Sequence, residues 1–337
     1  MTKIIDLKKS SINKISVVCP YYNEAQIIES AIKVFYNTVA AMKYEFELIL
    51  VNDGSTDNSY EIVRDTVKDF NNVILVTYSF NEGRGNALKK GIDVATGDII
   101  VTTEIDLSWG EDIVQRIIEK FEEESYLDCV IASPNLPEGG YKNVPMKRVL
   151  LSKIGNILIR LFFIPEISMN TGMTRGYRRE AIQGLEIIAT DKTFHLEVLL
   201  KLYALNYKIG EIHATLKWKK EKGCNGTLTR KSSTNINKVI KTHLNFLFFL
   251  RPLKYFWLIS FILMSMSLVC LITGIYFFFN GIESLWMGMT SLLFAIFGFL
   301  FFGFGIVTEQ NVNVLKELWR IKKSDKLGQL EKNNNCV

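Results

Sequence analysis

No C-x-x-C pair occurs among the five cysteines, Cys19, Cys129, Cys224, Cys270 and Cys336; their number is odd and their spacing wide. That argues against a disulfide framework and a zinc site, and fits a reducing compartment. No P-loop is present, and Gly83-Arg84-Gly85 lacks the third glycine of a dinucleotide fingerprint. No basic stripe interleaves with aromatics in the first 235 residues, so the mild net charge of +5 does not point to nucleic acid. No apolar run opens the chain. Residues 1–14 are polar, so no signal peptide is expected and the soluble part is expected to stay in the cytosol.

Two stretches lack charge altogether, residues 256–279 and 284–308. Each exceeds the roughly 20 residues that cross a hydrocarbon core. The link between them is four residues (280–283), so they are expected to form a transmembrane hairpin. Lys238, Lys241, Arg251 and Lys254 precede it, and Lys316, Arg320, Lys322 and Lys323 follow. By the positive-inside rule both flanks are cytosolic. Residues 236–255 read as an interfacial amphipathic segment, or equally as a surface helix. Gly298, Gly303 and Gly305 permit close helix approach, which leaves homo-oligomerisation through the hairpin open.

The first 235 residues alternate strand and helix patterns. Apolar runs at 15–19, 46–51, 73–78 and 98–102 predict strands. Helical periodicity is expected at 25–41, 57–70, 85–95 and 111–124. This is an α/β pattern, a mainly parallel sheet with helices on both faces. In such a sheet, ligands bind beyond the carboxyl ends of the strands. The polar clusters 21–24, 52–57, 81–84 and 104–108 each follow a strand and should converge on one edge. Further on, 134–144 and 168–176 read as loops, 149–163 as an apolar helix interrupted by Lys153 and Arg160, 193–205 as a helix, 208–218 as a strand and 219–233 as a basic loop. The expected organisation is therefore an arm (1–14), an α/β domain (15–235), an interfacial segment (236–255), two spans (256–308) and a cytosolic tail (309–337).

Pro20-Tyr21-Tyr22-Asn23-Glu24, Val51-Asn52-Asp53-Gly54-Ser55-Thr56-Asp57, Asn81-Glu82-Gly83-Arg84-Gly85 and Glu104-Ile105-Asp106 carry the strongest signal. In this order and spacing they resemble family 2 glycosyltransferases of the GT-A fold, over residues 14–220. With the hairpin, the resemblance points to the branch that transfers hexoses to polyprenyl phosphates, dolichyl or undecaprenyl. It implies a nucleotide-binding set of Pro20, Tyr22, Glu24, Asp53, Arg84 and Lys220. Tyr22 would frame the nucleoside, Glu24 would accept from ribose hydroxyls and Asp53 would bond the base. Tyr21 reads as packing and Asp57 as a helix cap. Asn52 stands where some members have an acid.

Glu104 and Asp106 take the place of the family's D-x-D motif. Residues i and i+2 of an extended segment share a face, and two carboxylates there suit Mg²⁺ or Mn²⁺ with diphosphate oxygens completing the shell. Glu104 departs from the usual Asp by one methylene. On the acceptor side, Pro134 stands where the family has an arginine and Ser168 where it has an acid. Arg148 and Arg175, with Asp106, form the expected catalytic set, the arginines serving the acceptor phosphate; Arg178 is an alternative to Arg175. Lys219, Lys220 and Lys222 resemble a basic loop near the donor diphosphate, and a solvated charge is an equal reading for each. Glu197 falls at a family acidic position, and His195 beside it reads as structural.

The expected activity is inverting hexose transfer from a UDP- or GDP-sugar to a polyprenyl phosphate at the cytosolic membrane face. A non-catalytic nucleotide-binding scaffold is the rival from another class, motivated by Glu104, Pro134 and Ser168. A processive polysaccharide synthase ranks lower, since no Gln-x-x-Arg-Trp motif and no further spans occur.

Overall fold

The computed structural model describes residues 11–146, 149–150, 152–153, 156, 167–191, 193–217 and 252–334. It divides into two units, 1–234 with 320–337, and 235–319.

The first unit is built on strands β1 (Lys14–Tyr21), β2 (Glu45–Asn52), β3 (Val73–Thr77), β4 (Ile99–Thr102), β5 (Cys129–Ser133), β7 (Arg175–Arg178) and β8 (Ile209–His213). Their order in the sheet is β3-β2-β1-β4-β7-β5-β8. All neighbours pair in parallel except β7, which runs antiparallel between β4 and β5. A small second sheet pairs β6 (Gly140–Lys142) with β9 (Thr215–Lys217). Helices α1 (Ile28–Ala40), α2 (Ser59–Thr66), α3 (Arg84–Val94) and α4 (Ile113–Glu123) follow the first strands. The short α5 (Arg179–Gln183) and α6 (Phe194–Ala204) come later.

Burial explains these elements. Ile15, Val17, Val18 and Cys19 in β1, and Leu48 to Val51 in β2, are fully buried, as continuous runs must be when helices cover both sheet faces. On α4, Ile113, Val114, Ile117, Ile118 and Phe121 are buried, a stripe with the helix period. Each such side chain contributes about 1.5–3 kcal/mol of transfer free energy.

Two features differ from the sequence expectation. The loop expected at 168–176 ends in β7, and α5 follows it directly. The single strand expected at 208–218 is two strands broken at Ala214, each serving a different sheet. Of the helix expected at 149–163, residues 149–150, 152–153 and 156 are helical and the rest lie outside the described residues.

The second unit holds two long apolar helices, α7 (Pro252–Phe279) and the first part of α8 (Leu285–Asn334). Both are long and apolar enough to cross a membrane, with mean hydropathies of 2.4 and 2.2 over their spanning windows. They pack through small residues. Ser260 donates to the Gly298 carbonyl at 2.8 Å, and Ser267 and Ser291 donate to each other's carbonyls at 2.8 and 2.9 Å. Gly298 faces Met264 and Gly305 faces Phe256 and Trp257. Two of the three glycines considered for contacts between chains thus serve the hairpin itself. Helix α8 does not stop at the apolar boundary near Thr308 but runs on to Asn334. Most of the interfacial segment lies outside the described residues; residues 252–255 form the start of α7.

Candidate active site

The sheet reverses its winding between β1 and β4: β2 and β3 lie to one side of β1, and β4 to the other. The loops after these two strands therefore flank a crevice at the carboxyl edge. The loops after β2 and β3 join them, so the four expected clusters do meet on one edge.

The loop after β1 is tied to the loop after β2. Asn23, in the left-handed region at φ 55°, accepts from Thr56 N at 2.8 Å, and its own backbone N donates to Ser55 Oγ at 3.1 Å. Glu24 N donates to Ser59 Oγ at 2.8 Å, while the Glu24 carbonyl accepts from Ile27 and Ile28 at the start of α1. Tyr21 is buried, as a packing residue should be, and the Tyr22 ring is exposed. Pro20 lies within β1, paired with Val51. Asp57 accepts from Ser59 N at 3.0 Å, but the N-cap of α2 is Asn58, so Asp57 stands one residue outside the capping position expected of it.

Asp53 is 4% exposed. Its Oδ1 accepts from Tyr78 Oη at 2.8 Å, Glu82 N at 3.0 Å and Gly83 N at 3.2 Å. Asp53 thus organises the loop that leads into α3. Burial, and then the bond to Asp53, push the Tyr78 hydroxyl upward, so it remains a donor. Gly54 follows at φ 63°, and a Cβ there would lie 2.4 Å from the Phe80 carbonyl carbon. Only glycine fits this turn.

Arg84 opens α3 and reaches across to β4. Its Nη1 donates to Glu104 Oε1 at 3.0 Å and lies 3.9 Å from Met173 Sδ. Glu104 Oε2 accepts from Ser108 Oγ at 3.0 Å and Trp109 Nε1 at 3.2 Å. Asp106 Oδ1 accepts from Ser108 N at 3.0 Å. Ile105 between the acids is buried, while both acids are half-exposed. β4 ends at Thr102, so the two acids stand in a turn past the strand rather than on the extended segment expected of them, and Leu107 follows at φ 56°. The backbone N of Lys217 donates to the Ser108 carbonyl at 2.7 Å. Lys217, the end of β9, thus lies beside the acidic turn; Lys219, Lys220 and Lys222 lie outside the described residues. Sequence reading missed Trp109, Ser108, Tyr78 and Met173. Tyr78 closes an apolar run and Trp109 follows the acidic pair, and neither position carries a pattern of its own.

The acceptor-side expectations fare differently. Arg148 lies outside the described residues. Arg175 is fully buried, and its guanidinium donates to the carbonyls of Gly172 at 2.8 Å, His195 at 2.8 Å and Asn170 at 2.7 Å. That geometry redirects it from phosphate contact to holding the loop before β7. Because β7 is antiparallel, Arg178 lies opposite Ile99 at the start of β4, on the sheet edge away from the crevice. Its guanidinium donates to the Leu127 and Ser125 carbonyls at 2.9 and 2.7 Å. Ser168 lies 2.6 Å from Ser133 Oγ, and Glu211 from β8 accepts from its N and Oγ. His195 is buried; burial first, then Arg175 and Arg84, hold it well below its ordinary range, so it stays neutral.

Residues 16–185, half of the chain, match the glycosyl transferase family 2 pattern. The chain belongs to glycosyl transferase family 2. This family 2 protein is 29% identical over 192 residues to a prophage bactoprenol glucosyl transferase homolog of Escherichia coli, covering 55% of this chain and 59% of that one. It is 27% identical over 191 residues to dolichol-phosphate mannosyltransferase of Pyrococcus furiosus, covering 56% and 53%. The match thus spans somewhat over half the length of these relatives. Among solved structures, glucosyl-3-phosphoglycerate synthase from Mycobacterium tuberculosis with UDP shares the fold at a TM-score of 0.52 and 18% identity, covering 70% of this chain and 79% of that one. Another structure of that enzyme, with Mn²⁺, UDP-glucose and phosphoglyceric acid, gives 0.52 at 15% identity, covering the same 70% and 79%.

Proposed function

We propose that this protein transfers a hexose, with inversion, from a nucleotide-diphosphate sugar to a polyprenyl phosphate at the cytosolic face of a membrane. The ion pair of Arg84 with Glu104, in the turn that also carries Asp106 just past β4 at the switch point of a family 2 sheet, carries this reading. The two relatives, a bactoprenol glucosyl transferase homolog and a dolichol-phosphate mannosyltransferase, support a lipid acceptor. The apolar hairpin supports a site working beside a membrane, and its basic flanks support the cytosolic orientation.

In this reading the exposed Tyr22 ring lies against the nucleoside and Glu24 accepts from the ribose. Asp53, which shapes the loop before α3, stands beside the base. Arg84 at the start of α3, with Lys220 from the basic loop, binds the diphosphate. Glu104 and Asp106 would hold Mg²⁺ or Mn²⁺, for which two carboxylates in one turn are a suitable hard-oxygen set. Among the described residues no three side chains of His, Cys, Asp or Glu gather as a complete cage, so diphosphate and water would fill the shell. When bound, the ion would stabilise charge on the departing nucleoside diphosphate.

The acceptor phosphate is anionic near neutral pH. One of its oxygens attacks the anomeric carbon directly, forming the new C–O bond as the bond to the diphosphate breaks. No strong general base is required, which suits a serine at position 168. Arg148 is assigned to the acceptor phosphate; Arg175 is not, given its buried carbonyl partners. Catalysis then rests on positioning and charge stabilisation.

One observation favours the scaffold reading. Both Glu104 oxygens already accept from protein donors, an arrangement that also suits a closed, non-catalytic site. Transfer of radiolabelled sugar separates the two. The purified protein is given polyprenyl phosphate and a panel of UDP- and GDP-sugars with Mn²⁺ or Mg²⁺. A lipid-linked sugar that disappears with Asp106→Ala supports the transferase. Nucleotide binding without product from any donor supports the scaffold.

A further inference from the structure

Residues 184–191, between α5 and α6, press on the loop that carries Arg84. The Thr190 carbonyl accepts from Asn86 N at 3.2 Å, in the first turn of α3. A Cβ on Gly83 or Gly85 would lie 2.7 or 2.8 Å from that same oxygen. Backbone meets backbone on both sides of Arg84, so where this segment sits decides where Arg84 sits.

The segment is tied down from inside. Glu197 and Lys201 form a buried ion pair at 2.6 Å, each side chain 7% exposed. Glu197 also accepts from Ile188 N at 3.1 Å and Ala189 N at 2.7 Å, the residues just before Thr190. Lys201 donates to the Glu186 carbonyl, and Lys89 on α3 donates to the Ile187 carbonyl at 3.2 Å. Glu197 is therefore a positioning residue, two peptide units from the carbonyl that supports the Arg84 loop.

The same segment is also held from outside by the C-terminal end of α8. Lys322 pairs with Glu186 at 2.6 Å, and Lys326, one turn later on the same face, pairs with Asp93 near the end of α3 at 3.1 Å. Lys323 packs its stem on Gly184 and sets its ammonium 4.5 Å from the Tyr207 ring centroid. The helix end thus grips both α3 and the segment that presses on the start of α3. Lys322 draws the Glu186 carboxyl below its ordinary range, the direction expected of a working ion pair.

We propose that the end of α8, residues 320–334, is a brace for the donor site: through Glu186 and Asp93 it fixes residues 184–191 against α3 and so fixes Arg84. The proposal rests on the reading of the Arg84 loop as a nucleotide-diphosphate site. It assigns the positively charged tail a role in donor affinity beyond the basic flank of a membrane span.

The test uses the full chain in detergent and two readouts. Hydrogen exchange follows the amides of Ile188, Ala189 and Asn86, and calorimetry follows binding of UDP and GDP with Mn²⁺. The double variant Lys322→Glu with Lys326→Glu touches an exposed and a half-buried surface lysine, neither in the core, so the fold is kept. The expected result is faster exchange at these three amides and a nucleotide Kd raised about threefold to tenfold, the scale of two surface ion pairs. Pairing Lys322→Glu with Glu186→Lys restores both. Unchanged exchange and unchanged Kd, with wild-type protein still binding nucleotide, overturns the brace. If wild-type protein binds neither nucleotide, the donor-site reading fails instead, and exchange alone decides whether the tail orders the segment.

Discussion

Arg175 and Arg84 are both arginines in motif positions, yet the fold uses them in opposite ways. Arg84 stands at a helix start with its side chain 36% exposed, facing a carboxylate. Arg175 sits mid-sheet between two strands, its guanidinium donating to three backbone carbonyls. Arg175→Leu leaves three buried carbonyls without their donor, a loss of about 3 kcal/mol or more at the usual cost per unsatisfied group. Thermal unfolding in detergent should show that drop, whereas a direct phosphate ligand would change acceptor KM at constant stability. His195 supplies a pH signature at the same scale. Its folded-state pKa lies below the unfolded value of 6.5, so the unfolded chain takes up the extra proton as pH falls. Its contribution is intact above about pH 6.5 and is lost below it, at up to about 1.4 kcal/mol per pH unit. Unfolding midpoints between pH 7 and 5 should fall more steeply for wild type than for His195→Leu.

At the scale of elements, the sequence announced what contiguous patterns can announce. The runs ISVVC, FELILV and VILVTY are apolar and β-branched, so β1 to β3 were legible, as were the polar clusters at their ends. Strand β7 was not. Its four residues, Arg-Gly-Tyr-Arg, carry an arginine at each end, and they read as a strand only once both guanidiniums find carbonyls inside the fold. That hidden antiparallel strand is also why Arg178 was misplaced, since reversal carries its end to the far edge. The length of α8 was missed for a different reason. Hydropathy marks where the apolar run stops, but residues 309–334 contain no proline and many good helix formers, so the helix continues. Contact between elements makes its own prediction. Gly85→Ala places a Cβ 2.6 Å from the Thr190 carbonyl carbon. The resulting overpacking, about 1–3 kcal/mol, should raise the donor KM about tenfold and leave the acceptor KM unchanged in steady-state transfer.

The whole molecule combines a family 2 sheet, a crevice beside which Arg84, Glu104 and Asp106 stand, and two apolar helices. On this reading the crevice is a metal-assisted nucleotide-diphosphate site. Isothermal titration of UDP and GDP into the purified protein, with Mn²⁺ or with chelator, tests that most directly. The account predicts binding of at least one nucleotide with Mn²⁺, weakened about tenfold or more by chelator or by Asp106→Asn, on the scale of one lost charge-assisted contact. Binding of neither nucleotide, or binding indifferent to both metal and Asp106, would contradict it.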